Sequence, residues 1–293
     1  MAWETLLGND ERAWTAEDKC LCDLFADHSQ IELFHFSDLH KACLGISGKD
    51  FDSVLAATPR SLVDQMDAVG KTTLSWAAQR GDSKAVDQLL RCGADPNKIA
   101  AFGEGPLHWS LRSKDVTCLQ LLLLAKADVD LRSEFGCTAL SNAAAEGIEM
   151  AFVDVLLKNG ADIEAEDDVG RRPLHLAATM DNSLVLIRLL EEGADINAKS
   201  FAGYTALDWA LTYRRHNILR ILLDDPNFRY DRENDPFEWY AVFEELLDIV
   251  TSATHSGTDQ VTNEQRTGSS GTDMMEEDDH APECWQGPLE EYV

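Results

Sequence analysis

The chain has 293 residues and a formal net charge of −28, from 53 Asp and Glu against 25 Lys and Arg. With 44% hydrophobic residues it can bury a core, which excludes a wholly disordered polymer. A surface this acidic repels phosphate backbones and anionic lipid, so neutral or basic protein surfaces are the expected partners rather than nucleic acid or membrane.

No stretch approaches the roughly 20 apolar residues that cross a bilayer. The start, Met1-Ala-Trp-Glu-Thr, lacks the basic and apolar regions of a secretory signal. Seven scattered cysteines fit reduced thiols inside a cell, in nucleus or cytoplasm, not in a secreted chain. Cys20-x-Cys22 is the one close pair, and no second pair or nearby His completes a zinc set.

Residues 1–36 read as an N-terminal flank, partly helical. Thr15-Ala-Glu-Asp18 is a loose capping box ahead of Leu21, Leu24 and Phe25, and Ile31-Glu-Leu-Phe-His-Phe36 is apolar enough to pack on the first helical unit. Residues 37–66 hold a degenerate copy of a unit that then recurs at 67–99, 100–132, 133–166, 167–199 and 200–232. Gly70, Gly103, Gly136, Gly170 and Gly203 stand 33, 33, 34 and 33 apart, and the Leu pairs ending at 90, 123, 157, 190 and 223 step by 33, 34, 33 and 33. Both rulers carry one extra residue, which falls between Gly147 and Leu156.

Each unit reads as turn, short helix, turn, longer helix and loop. In the first, Gly70 sits in a tight turn, Thr72 caps a helix with Leu74, Ala77 and Ala78 on its apolar face, and Gly81 ends it. Val86, Leu89 and Leu90 mark a second helix, and Cys92-Gly-Ala-Asp-Pro-Asn97 is the exit. One helical pair leaves its apolar face wet, so the units must stack; each buried Leu then contributes roughly 1.5–3 kcal/mol before entropy.

Residues 233–252 predict a C-terminal capping helix. Asp235-Pro236 opens it, and Trp239, Tyr240, Phe243, Leu246, Leu247 and Val250 share one face. A partner-binding amphipathic helix is the alternative. Residues 253–293 read as a disordered acidic tail, since 251–293 carries 10 acids against Arg266 alone. Trp285, Leu289 and Tyr292 lie among those acids, a pattern of either a solubilising tail or a transcription-activation segment.

The openings Gly70-Lys-Thr-Thr-Leu-Ser-Trp-Ala-Ala78, Gly103-Glu-Gly-Pro-Leu-His-Trp-Ser-Leu111 and Gly170-Arg-Arg-Pro-Leu-His-Leu-Ala-Ala178, with the closings Gly93-Ala-Asp-Pro-Asn97 and Gly193-Ala-Asp-Ile-Asn197, resemble the ankyrin repeat. The resemblance covers about 37–226. It implies an all-α solenoid of helix-turn-helix units with β-turn fingers, helical caps, and a concave face that binds other proteins. Gly105 and Arg172 depart from the pattern's capping Thr, so the second and fourth repeats are expected to open less rigidly. Leu74-Ser-Trp-Ala-Ala-x-x-Gly-Asp82 is also similar to fungal ankyrin-repeat proteins, some described as transcription coregulators.

On that resemblance the partner-facing residues are the turn tips Val69, Phe102, Phe135, Val169 and Phe201, the residues after the turn glycines, Lys71, Glu104, Arg171 and Tyr204, and the inner-helix positions Arg80, Arg112, Glu146, Met180 and Tyr213. Exposed aromatics at the tips match interface anchors, with Arg80, Arg112 and Arg171 as polar fixings; packing of neighbouring fingers on one another is the competing account. The Trp76, Trp109 and Trp209 column reads as framework. No nucleophile–base pair, phosphate loop or metal set occurs, so neither enzyme activity, cofactor nor small-molecule substrate is expected. The expected function is a protein-binding adaptor or coregulator whose partner could be a transcription factor. The alternatives are a cytoplasmic scaffold and, against the charge, a direct DNA-binding factor.

Overall fold

The computed structural model describes residues 34–229. The N-terminal flank up to 33, with the Cys20–Cys22 pair, the predicted capping helix and the acidic tail lie outside the described residues.

Among the described residues there are twelve α-helices and no strand, two helices to each unit. The degenerate copy holds α1 (Asp38–Cys43) and α2 (Phe51–Ala57). The five repeats hold α3 (Thr73–Gln79) and α4 (Ser83–Arg91), α5 (Pro106–Ser110) and α6 (Thr117–Leu124), α7 (Ala139–Glu146) and α8 (Met150–Lys158), α9 (Pro173–Thr179) and α10 (Ser183–Glu191), and α11 (Ala206–Thr212) and α12 (His216–Asp224). Odd-numbered helices pack on one another as an inner layer, and even-numbered ones as an outer layer. The result is an all-α solenoid of stacked helical pairs.

One core runs its length. Leu74 and Leu89, Leu107 and Leu122, Leu140 and Leu156, and Leu174 and Leu189 are buried in succession between the layers, with Phe152 the largest side chain fully enclosed. Ala77, Ala78, Ala143, Ala144, Ala177 and Ala178 are also fully buried, and their small side chains let the inner helices approach closely. In the third repeat two residues, Ile148 and Glu149, separate the turn glycine Gly147 from α8, where in the first repeat Asp82 alone separates Gly81 from α4. Gly147 closes α7 with φ 64°, a left-handed cap that glycine adopts without strain.

The helix openings differ from expectation in the second and fourth repeats. Thr72, Thr138 and Thr205 cap α3, α7 and α11 by accepting the N–H of Ser75, Ser141 and Asp208. Gly105 and Arg172 make no side-chain cap, yet their helices are closed from the other side. His108 Nδ1 accepts the Gly105 N–H (3.3 Å) and Nε2 lies 3.2 Å from the Cys137 carbonyl; His175 Nδ1 accepts the Arg172 N–H (2.9 Å) and Nε2 lies 3.0 Å from the Ala198 carbonyl. Because Nδ1 accepts, the proton is on Nε2, which donates from His108 to the next repeat and from His175 to the exit loop of its own repeat. His40 does the same from α1, with Nε2 3.2 Å from the Lys71 carbonyl. Gly105 has a steric reason too: a Cβ there would meet Leu131 Cδ2 at 2.4 Å.

Two hydrogen-bond ladders lace the repeats along opposite edges. In the exit loops the last residue of each closing signature accepts the backbone N–H of its successor. Asp64 bonds Asp95 (3.0 Å), Asn97 bonds Asp128 (2.7 Å), Asp130 bonds Asp162 (2.8 Å), Glu164 bonds Asp195 (2.8 Å) and Asn197 bonds Arg229 (2.7 Å). Along the fingers, Phe34 O accepts from Ala68 (2.7 Å), Phe102 O from Glu134 (2.7 Å), Phe135 O from Asp168 (3.2 Å) and Val169 O from Phe201 (3.2 Å).

Candidate functional site

Each finger is a tight turn closed on itself. In the first, Asp67 N–H donates to Lys71 O (3.0 Å), Gly70 N–H to Asp67 O (3.1 Å), and Asp67 Oδ1 accepts from Val69 and Lys71 (3.0 and 2.9 Å). Asp167 repeats this arrangement in the fourth finger, and Ser133 and Ser200 do so with a hydroxyl acceptor for Cys137 and Tyr204. Much of the polar backbone is therefore paired inside and between fingers, and the tips project. Val69, Phe102, Phe135, Val169 and Phe201 are 40%, 61%, 42%, 51% and 71% exposed, one large apolar side chain on every finger. Neighbouring fingers approach so closely that a Cβ on Gly170 would meet Phe201 N at 2.6 Å, and one on Gly103 would meet Glu134 N at 2.4 Å. Finger packing thus uses backbone, glycine and, at Gly170, the Phe201 ring, while each of the five apolar side chains keeps an exposed face.

Phe102 is also strained. Its φ of 58° and ψ of 19° put a bulky side chain in the left-handed region, directly before Gly103 at φ 72°.

The other predicted partner-facing residues divide. Arg80 and Glu146 are exposed; Arg112, Arg171, Met180, Tyr204 and Tyr213 are half-buried. Lys71 and Glu104 are buried, which corrects the expectation that a partner meets them on the free surface. Lys71 Nζ lies 4.3 Å from the Trp76 ring centroid and 3.4 Å from that of Trp109, and donates to Gln79 Oε1 (2.9 Å). This cation between two indoles clamps the first repeat to the second. Trp76 in turn donates to Asp67 Oδ2 (2.7 Å), and the Arg112 guanidinium covers the same Trp109 ring at 4.5 Å.

The three arginines foreseen as polar fixings all make contacts within the chain. Arg80 Nη1 donates to the Cys43 carbonyl (3.2 Å), Arg112 lies on Trp109, and Arg171 Nε donates to the buried Asp167 Oδ2 (2.7 Å). Each sets its neighbour's geometry before any partner arrives. At the far end, Trp209 meets Tyr204 edge-on at 5.7 Å and stacks on Tyr213 at 6.1 Å. Trp209 is half-buried there, whereas Trp76 and Trp109 are buried.

Two exposed leucines on the outer layer escaped the sequence reading, Leu124 on α6 and Leu184 on α10. They sit in register positions that hold Arg91 and Lys84 in the first repeat, and comparison of those columns could have found them. Burial pushes the Cys43 and Cys118 thiols up to about 12, so both stay protonated and unreactive. Among the described residues no group of three His, Cys, Asp or Glu could hold a metal ion, and no helix is long and apolar enough to cross a membrane.

A family model described as "Ankyrin repeats (3 copies)" matches residues 38–133, 74–167, 107–200 and 151–234 in overlapping placements. The chain belongs to the ankyrin-repeat family. Its ankyrin stack is 36% identical over 132 residues to the neurogenic locus notch homolog protein 1 of Mus musculus, covering 45% of this chain and 5% of that one. It is 38% identical over 124 residues to the palmitoyltransferase AKR1 of Lachancea kluyveri (41% of this chain, 17% of that one). Over 152 residues it is 33% identical to the putative palmitoyltransferase ZDHHC13 of Danio rerio (51% and 24%). The chain thus spans at most about a quarter of these relatives, each of which has a similar ankyrin stretch within a far longer protein.

Proposed function

We propose that the chain is a non-catalytic, intracellular protein-binding module, a regulatory adaptor that grips its partner along the finger tips. The supporting observation is the row of five apolar tips, 40–71% exposed, on fingers held by hydrogen bonds within and between them. Apolar side chains left in water in a contiguous row are the usual mark of an interaction surface, and aromatic anchors dominate such interfaces. The burial of Lys71 and Glu104 moves the contact surface outward, from the base of the fingers to their ends. Replacing both Phe102 and Phe135 by Asp should abolish partner capture in proximity labelling without lowering the circular-dichroism melt. Undiminished capture by that double variant would place the surface elsewhere.

A second reading, transcription coregulation, is favoured by the acids interleaved with Trp285, Leu289 and Tyr292 in the tail. Residues 251–293 tethered to a DNA-binding domain should then raise a reporter above background. Background activity would leave an adaptor without that role.

A further inference from the structure

The finger ridge has a spacing and a chemistry that select among polypeptides. Stacked helices lie 8–10 Å apart, and a finger is a hydrogen-bonded pair of segments, each about 4.8 Å wide, so successive tips stand roughly 10 Å apart. The five tips therefore span on the order of 40 Å. A ligand must offer one apolar side chain about every 10 Å on a single face.

An extended strand cannot do so. Three residues cover about 10 Å, but residues three apart point to opposite faces. A polyproline helix repeats every three residues, at about 9.3 Å, yet its backbone has no internal hydrogen bonds. On this ridge it would lose water and find no donor, because the N–H groups of Glu134, Asp168 and Phe201 already bond the preceding finger. An α-helix satisfies its own backbone. Seven residues rise about 10.5 Å and return to nearly the same face, drifting about 20°.

Charge selects further. Glu134 and Asp168, both exposed, flank Phe135 and Val169, although Asp168 also pairs with Arg132 Nη2 at 3.6 Å. The described residues carry 28 acids against 21 bases, and the chain outside them is more acidic still. Partners with basic flanks are steered in and acidic ones repelled.

We infer that the ridge receives an amphipathic α-helix of a partner, basic on its flanks, with large apolar residues at seven-residue intervals. This rests on the proposal that the finger tips are the contact surface. The test uses the full chain and three fluorescent peptides of 28 residues. The first is helical and lysine-rich with four Leu at seven-residue intervals; the second has the same composition with its four Leu set five residues apart, which scatters them around the helix; the third keeps the first spacing with Glu in place of Lys. Anisotropy should show the first binding at least tenfold tighter than either other, with at least a tenfold loss in the Phe102→Asp, Phe135→Asp double variant. Should that variant melt differently from the parent, Val69→Asp with Val169→Asp serves in its place, and the same loss is expected.

Equal binding of the five-residue spacing, equal binding of the Glu peptide, or no binding of the first peptide overturns the helix. If the tip variants still lose whatever binding there is, or lose partner labelling in cells, the finger surface survives that failure. Binding that none of the tip substitutions weakens overturns the finger surface as well.

Discussion

Two kinds of residue in this stack carry local costs that substitution can expose. Phe102 holds a left-handed backbone, which costs a bulky L-residue roughly 1–2 kcal/mol and a short polar residue less. Phe102→Asn should therefore raise stability, by about 0.5–1 kcal/mol in urea unfolding, even as it removes an exposed ring from the ridge. A protein kept stable chiefly by local fit would not retain that ring. The buried imidazoles are the second kind. Burial holds His40 and His108 below the usual imidazole range and pushes His175 down to about 4, with donation to the Ala198 carbonyl a smaller opposing effect. The folded chain thus resists a proton that the unfolded chain binds below about pH 6.5. Stability is full above that value and falls as pH drops from about 6.5 towards 4. A melting series across this window should show the slope, and His175→Gln should flatten it while lowering stability near neutrality.

At the scale of the helical pair and its exit loop, the closing signature has a mechanical purpose. Its last residue accepts the next loop's N–H, a job Asn97 and Asn197 do without charge and Asp130 does as a carboxylate. Burial raises the Asp130 pKa, and the neighbouring Asp162 and Asp128 carboxylates add to the effect. Asp130→Asn keeps the acceptor and removes the charge, so it should stabilise the fold by about 0.5–1 kcal/mol at neutral pH. A raised carboxyl pKa means the folded state favours the protonated form, so the gain should shrink as pH falls through the carboxylate range. The thirty-three-residue register made the helices, their order and the small inner faces legible, because Gly, Ala and Leu recur where turns and stacking demand them. Residues whose role depends on the next repeat were harder to read. Lys71 looks like any residue after a turn glycine until Trp109, 38 positions on, lies over it. His108 and His175 recur at the sixth place of two repeat openings, but their substitution for the missing Thr cap needed the geometry of both ring nitrogens. The tips were legible as candidates; the burial of Lys71 and Glu104 beside them was not.

For the molecule as a whole, stability is distributed along a line. Each unit touches its neighbours, and the middle repeat supports both halves. Phe152→Ala should cost about 3–5 kcal/mol through the cavity it leaves, and should split the calorimetric transition into two as the halves lose their shared support. A single, merely shifted transition would mean that coupling through the two edges outweighs coupling through the core.

Those two edges set a rule of arithmetic for the chain. Each ladder pairs an acceptor of one repeat with a backbone N–H of the next, and the pairing recurs from repeat to repeat, so excising residues 133–166 brings Asp130 opposite Asp195 and Phe102 opposite Asp168, and both seams can close again. Removing half as many residues would set mismatched groups against each other on both sides. This protein can grow or shrink in whole units, and its length is in effect counted in integers.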